Sequence, residues 1–149
     1  MAITGVGTKF YRWDPTLNSG SGDWAAISEI TDIGGPSASR DTVETTSLDT
    51  TGGYKTFLAS FRDAGELTLT MNYTPDGYQA MLGDFQSDDL QYYGFLLNDN
   101  ADDAQKTFFE VQGLVTGIPL KVPKDVVTFE TTIKISGPMQ TKTGLPTAP

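Results

Sequence analysis

With 149 residues the chain can bury one hydrophobic core and is short for two. The absence of cysteine and histidine removes thiol nucleophiles, disulfides, imidazole bases and the usual zinc, haem and iron–sulfur ligand sets. Apolar residues make up 38% while glycine (16) and proline (8) are plentiful, which suits short strands and many turns, and the net charge of −9 is uneven: between Arg62 and Lys106 stand nine acids and no Lys or Arg. Such a surface repels phosphate and argues against tight binding of a nucleic-acid backbone; the same acids also simply keep an abundant protein in solution.

In chain order, Met1–Lys9 lacks a charged leader followed by an apolar run and does not read as a secretory signal. Lys9–Trp13 is a strand candidate, Asp14–Gly22 a turn-rich connection, and Trp24–Ile30 and Thr42–Ser47 are further strands, rich in aromatic or β-branched residues. The segment from about 48 to 64 is too long for a hairpin turn, and its Tyr54, Phe57, Leu58 and Phe61 either form a short helical stripe tucked on the core or serve as anchors on another subunit. Gly52-Gly53 supplies a hinge and Asp63-Ala64-Gly65 a return turn. Leu67, Leu69, Met71 and Tyr73 then alternate with Glu66, Thr68, Thr70 and Asn72, the period of a half-buried strand.

Thr74 caps a helix with Pro75 at its first position and Asp76 at the dipole's positive end; Tyr78, Met81, Leu82 and Phe85 fall on one stripe for helix packing. Gln91–Leu97 and Thr107–Thr116 are strands, Lys121–Pro123 breaks the run, and Val127, Phe129, Ile133 and Ile135 alternate with Thr128, Glu130, Thr132 and Lys134 in a final strand with Thr131 as a polar guest on its inner face. The end of the chain, about 136–149, has no periodicity and reads as an extended tail, disordered unless it lies along a neighbour. Seven or more short strands argue for a mainly β protein, two packed sheets in a sandwich or barrel-like arrangement, with one flanking helix. The longest apolar stretch, Tyr92–Leu97, is far below a membrane span, so no membrane insertion is expected.

Chemistry is mostly absent. In Asn98–Asp103 a calcium loop would need glycine at its sixth position and glutamate at its twelfth, where Asp103 and Phe109 stand; a polar hairpin tip is the better reading. Gly5-Val-Gly7, Gly20-Ser-Gly22 and Gly52-Gly53 lack the other residues of a phosphate loop. Glu66 with Glu130 would suit glycoside hydrolysis only if the two met across a cleft, and Trp13, Trp24, Tyr92 and Tyr93 are either a sugar-stacking platform or, as is more usual in an all-β chain, core or interface. No catalytic residue, cofactor site or metal site is expected.

One region carries a resemblance. Glu44-Thr-Thr-Ser-Leu-Asp49, then Gly53-Tyr-Lys-Thr-Phe57, then Asp63-Ala-Gly-Glu66 leading through an alternating strand into Asn72-Tyr-Thr-Pro75, resembles the major tail tube proteins of long-tailed, lambda-type, non-contractile bacteriophages. The matching part, Val43–Pro75, is about a fifth of the chain, and the lambda-type immunoglobulin-like addition has no counterpart after Ser136. The resemblance implies a single tail tube domain over 1–149, closing as a homohexamer into rings that stack into a hollow tube. It implies a virion component assembled in the bacterial host cytoplasm, with tape-measure, tail tip and tail terminator proteins as partners, and double-stranded DNA passing without sticking. On that reading Glu66, Thr68, Thr70, Asn72, Thr128, Glu130 and Thr132 face either the lumen or the exterior, and Leu48, Asp49, Tyr54, Lys55, Phe57, Leu58 and Phe61 form an inter-ring loop. The alternative is a carbohydrate- or receptor-binding β-sandwich of a virion or cell surface.

Overall fold

A computed structural model describes residues 2–27, 29–49 and 51–149; Met1, Ser28 within the expected strand Trp24–Ile30, and Thr50 within the expected loop lie outside the described residues. The strands in chain order are β1 Lys9–Asp14, β2 Asp23–Ile27, β3 Ile30–Gly34, β4 Ser39–Glu44, β5 Phe57–Asp63, β6 Glu66–Asn72, β7 Gln91–Leu96, β8 Thr107–Gly117, β9 Leu120–Lys121, β10 Thr128–Ile135 and β11 Gln140–Thr143, with helix α1 at Pro75–Gln86 between β6 and β7. The protein is mainly β, in two sheets with one α-helix.

The sheets are unequal. Nine strands form one sheet in the order β2-β1-β7-β8-β10-β6-β3, with β9 on β10 and β11 on β8, while β4 and β5 pair only with each other. Because β2 and β3 sit at opposite ends of that order yet are joined through residues 28–29, the sheet must curl until its two edges approach at that corner. Its concave face holds the core: Phe10 of β1, Leu67, Leu69 and Met71 of β6, Tyr93 and Phe95 of β7, Val111 and Val115 of β8, and Phe129, Ile133 and Ile135 of β10 form one buried cluster. The period-two patterns of β6 and β10 are what put these side chains on one face, and burying them is the main driving force for the curl. Thr131 is fully buried among them, and its hydroxyl has no partner among the described residues.

Helix α1 closes the concave side. Thr74 caps it, its Oγ1 accepting from the Gly77 N–H at 3.1 Å, and Met81 is buried in the main cluster, with Tyr78 edge-on to Phe129. The expected stripe is corrected at its end: Phe85 is 45% exposed, and the position that turns inward is Asp84. The cause is a ready-made partner set, since Arg12 Nε donates to Asp84 Oδ2 at 2.8 Å and Tyr93 Oη donates to the same oxygen at 2.8 Å. A buried carboxylate with these donors is tolerated where a bare one would not be. Burial, and then the neighbouring carboxylate, push the Tyr93 hydroxyl well above its ordinary pKa, so it stays protonated as a donor.

The opposite face of the large sheet changes character midway. Over β2, β1, β7 and β8 it carries a second cluster of Trp24, Leu96 and Phe108 with Tyr11, Trp13 and Tyr92. Gly94 leaves room for it, because a Cβ there would overlap the Phe108 ring. Over β10, β6 and β3 the same face is polar.

Two expectations of irregular structure are replaced by strands. The second half of the 48–64 segment is β5, which pairs with β4 through Thr42–Ala59, Val43–Leu58 and Glu44–Phe57, so the connection proper runs only from 45 to 56 and no helical stripe forms. The tail after Ser136 contains β11, whose Gln140–Thr143 pairs with Glu110–Thr107 of β8; Lys142 Nζ meets the buried Glu110 at 3.0 Å. Neither segment shows an alternating apolar pattern, because β5 stands clear of the core and β11 is held by backbone pairing and one ion pair. The candidate Trp24–Ile30 also divides, into β2 and β3.

Candidate lumen face and docking hairpin

The polar residues of β6 and β10 stand in direct cross-strand register: Asn72 opposite Thr128, Thr70 opposite Glu130, Thr68 opposite Thr132, and Glu66 opposite Lys134. Antiparallel partners share a face, so Glu66, Thr68, Thr70, Asn72, Thr128, Glu130 and Thr132 form one surface, the reverse of the core. The register extends that surface to Asp32 of β3 opposite Thr70 and to Lys121 of β9 opposite Thr128. Sequence reasoning missed Asp32, because a bulge between Ile30 and Asp32 breaks the alternation that marks the other strands. Hydroxyls dominate, and threonines of the neighbouring strands bind its backbone: Thr31 Oγ1 donates to the Thr70 carbonyl at 3.1 Å and Thr116 Oγ1 to the Thr132 carbonyl at 3.3 Å. The result is a hydroxyl-and-carboxylate wall with short side chains and few cations.

The second surface is the β4–β5 hairpin. Leu48, Tyr54, Phe57, Leu58 and Phe61 are exposed, as is Val43 opposite Leu58, and none of them belongs to either buried cluster. Lys55 and Asp49 are exposed as well. Its tip is stiffened by threonines: the Thr45 N–H donates to the Thr56 carbonyl at 2.8 Å, the Thr56 N–H to Thr46 Oγ1 at 2.8 Å, and the Thr45 and Thr56 hydroxyls lie 3.0 Å apart. The Ser47 hydroxyl donates to Asp49 and holds that carboxyl below its ordinary pKa. At the base, Gly65 takes φ +81° where a Cβ would strike the Ser37 carbonyl, so the Asp63-Ala64-Gly65 turn needs its glycine. Large apolar side chains left in water on both faces of a two-stranded arm that belongs to neither buried cluster suit a contact surface.

The chemistry-bearing candidates are not assembled into a site. Glu66 and Glu130 lie four positions apart along the paired strands, about 14 Å by strand rise, too far for a glycosidase pair. Asp99 accepts from Thr107 Oγ1 at 2.6 Å and from its N–H at 3.0 Å, and Asp102 accepts from the Ala104 N–H at 3.1 Å, so these acids cap their own hairpin tip. Among the described residues no group of three or more potential ligands could hold a metal ion. Trp24 and Tyr93 are buried and Trp13, half-buried like Tyr92, packs edge-on to Trp24, so the four rings do not make one exposed stacking platform.

No protein-family model matches the chain, and no curated protein matches it. Solved structures do match in fold. A chain from the tail of an empty gene transfer agent particle, refined with helical C6 symmetry, superposes at TM-score 0.72 with 16% identity over 95% of this chain and 99% of its own. A chain of the SPP1 tail tube gives TM-score 0.71 at 9% identity over 97% of this chain and 81% of its own. One from the extended sheath–tube complex of an extracellular contractile injection system, PVC, gives 0.68 at 13% identity over 95% and 92%. The chain therefore has the tail tube fold, shared here across phage-like and injection-system particles.

Proposed function

We propose that this chain is the structural subunit of a phage-type tail tube, of the long, flexible, non-contractile kind suggested by its Val43–Pro75 motifs. Six copies close a ring, rings stack into a hollow tube, and double-stranded DNA passes through it during genome ejection. The observation that carries the proposal is the likeness in fold over 95–97% of the chain to subunits of tails and tubes, one of them solved with C6 symmetry. In this assembly the protein is one tail tube domain in the virion tail, put together in the host cytoplasm. It acts without catalysis, alongside tape-measure, tail tip and tail terminator proteins.

The two surfaces fit distinct parts of that task. The wall of Glu66, Thr68, Thr70, Asn72, Thr128, Glu130 and Thr132 lines the lumen, where hydroxyls and carboxylates outnumber the two lysines on the same face, Lys121 and Lys134, and Lys134 is paired with Asp63. Six copies at −9 each put about −54 on a ring, which repels DNA at the range set by ionic screening. That charge also opposes assembly, so apolar contacts must offset it. The hairpin residues Leu48, Tyr54, Phe57, Leu58 and Phe61, with Asp49 and Lys55, supply them against the adjacent ring. Negative-stain microscopy of the purified, concentrated protein tests the proposal. Hollow rods of uniform width are expected, and a chain that stays solitary at every concentration and salt overturns it.

A further inference from the structure

At the root of the hairpin lies a groove of about 710 Å³ lined by Ser39, Arg40, Arg62, Asp63 and Ala64, with Gly137, Pro138 and Met139 from the segment leading into β11. Arg40 and Arg62 are direct cross-strand partners, and like charges directly opposite destabilise a strand pair. Among the described residues neither guanidinium makes an ion pair or a side-chain hydrogen bond. Of the two carboxylates next to them in sequence, Asp41 forms no ion pair with either among the described residues, and Asp63 is committed elsewhere: its Oδ1 accepts from the Gly65 N–H at 2.8 Å and its Oδ2 lies 3.6 Å from Lys134 Nζ. Two adjacent, unmatched guanidinium groups beside the apolar Met139 and Pro138 form a receptor for paired carboxylates with apolar neighbours.

The chain carries such a pair. Of the nine acids between Arg62 and Lys106, Asp63, Asp84, Asp99, Asp102 and Asp103 are bound by donors within the molecule, and Glu66 faces Lys134 across the sheet. Asp76 sits in the first turn of α1, where the helix dipole favours it. Asp88 and Asp89 remain, adjacent, exposed, flanked by the exposed Phe85 and Leu90, and just beyond the C-terminus of α1. There the dipole is negative, and the last turn holds no basic residue to offset it. Each site is thus electrostatically unfavourable in the isolated chain, with opposite sign, and each is relieved by the other.

We propose that the Arg40–Arg62 groove at the hairpin root receives the Asp88–Asp89 pair of a second copy of this chain. This rests on the tube-subunit reading and deepens it by naming the charged half of a contact whose apolar half is the hairpin. The contact is directional, groove to helix end, so each copy offers both halves. Contacts of that kind propagate from copy to copy, closing into rings or extending a stack, and do not stop at a dimer.

The test compares rod formation by sedimentation and microscopy in wild type, Arg40→Glu/Arg62→Glu, Asp88→Arg/Asp89→Arg, and the fourfold exchange, with circular dichroism checking each fold. Both double variants are expected to raise the concentration needed for rods tenfold or more, and the fourfold exchange to restore it. As the chain has no cysteine, Arg40→Cys chains mixed with Asp89→Cys chains should also form a disulfide-linked pair that neither forms alone. Rods from Arg40→Glu/Arg62→Glu at the wild-type concentration, no rescue by the fourfold exchange, or no mixed disulfide overturns the contact. Rods that need added inorganic phosphate and are not rescued by the exchange place a free anion in the groove and overturn it too. The tube reading fails separately, by absence of wild-type rods, and the disulfide assay still decides the contact.

Discussion

Phe57 and Phe61 project from β5 with 55% and 87% of their surfaces in water, so truncating either should leave the isolated fold intact and weaken only what covers them in the assembly. Full burial of a phenylalanine is worth up to about 3 kcal/mol; scaled by the exposure left to lose, this gives ~1.6 kcal/mol for Phe57 and ~2.6 kcal/mol for Phe61. At 1.36 kcal/mol per factor of ten, Phe57→Ala should raise the critical concentration for rods about 15-fold and Phe61→Ala about 80-fold. Pelleting across a dilution series measures this, and thermal unfolding followed by circular dichroism provides the control, expected within 2 °C of wild type for both by the small effect of exposed truncations. A fall of more than about 5 °C in either variant would show that the side chain packs within its own subunit. An unchanged critical concentration would remove the hairpin from the interface.

Other perturbations test the fold that carries these surfaces. Thr131→Val should stabilise the subunit by about 1 kcal/mol, roughly 3 °C in Tm, by replacing a buried hydroxyl that has no partner with a methyl group; a lower Tm would mean that the hydroxyl is satisfied. Asp84→Ala should cost about 3 kcal/mol, roughly 10 °C in Tm, because it strands the Arg12 guanidinium and the Tyr93 hydroxyl at the joint between α1 and the sheet, and a shift under 2 °C would refute that role. Stability should be flat at neutral pH and fall below about pH 4. The carboxyls of Asp14, Asp63, Asp99 and Asp103 are held below the ordinary 3.8 by the Thr16 hydroxyl, the Gly65 N–H, the Thr107 hydroxyl and Lys106 respectively. A depressed folded pKa adds stability that is present above the unfolded value and lost as pH drops through the folded one, so a Tm that rises on acidification to pH 3 would contradict these bonds.

The sequence by itself determined the elements whose periodicity is paid out locally: β6 and β10 with their buried Leu67, Leu69, Phe129 and Ile133, the polar set on the reverse face, and α1 from its Thr74 cap and Pro75 start. Alternation on a strand and a cap before a helix are written in neighbouring residues, so they need no knowledge of the rest of the chain. Only the tertiary structure decided that β5 is a strand standing free of the core, that β11 returns to β8, and that Asp84 turns inward in place of Phe85. Each depends on a partner distant in sequence, namely β4 across a 12-residue connection, Glu110 for Lys142, and Arg12 and Tyr93 for Asp84. Pairing of remote groups leaves no periodic trace in either segment, and for the same reason the opposition of Arg40 to Arg62 is visible only once the hairpin register is known.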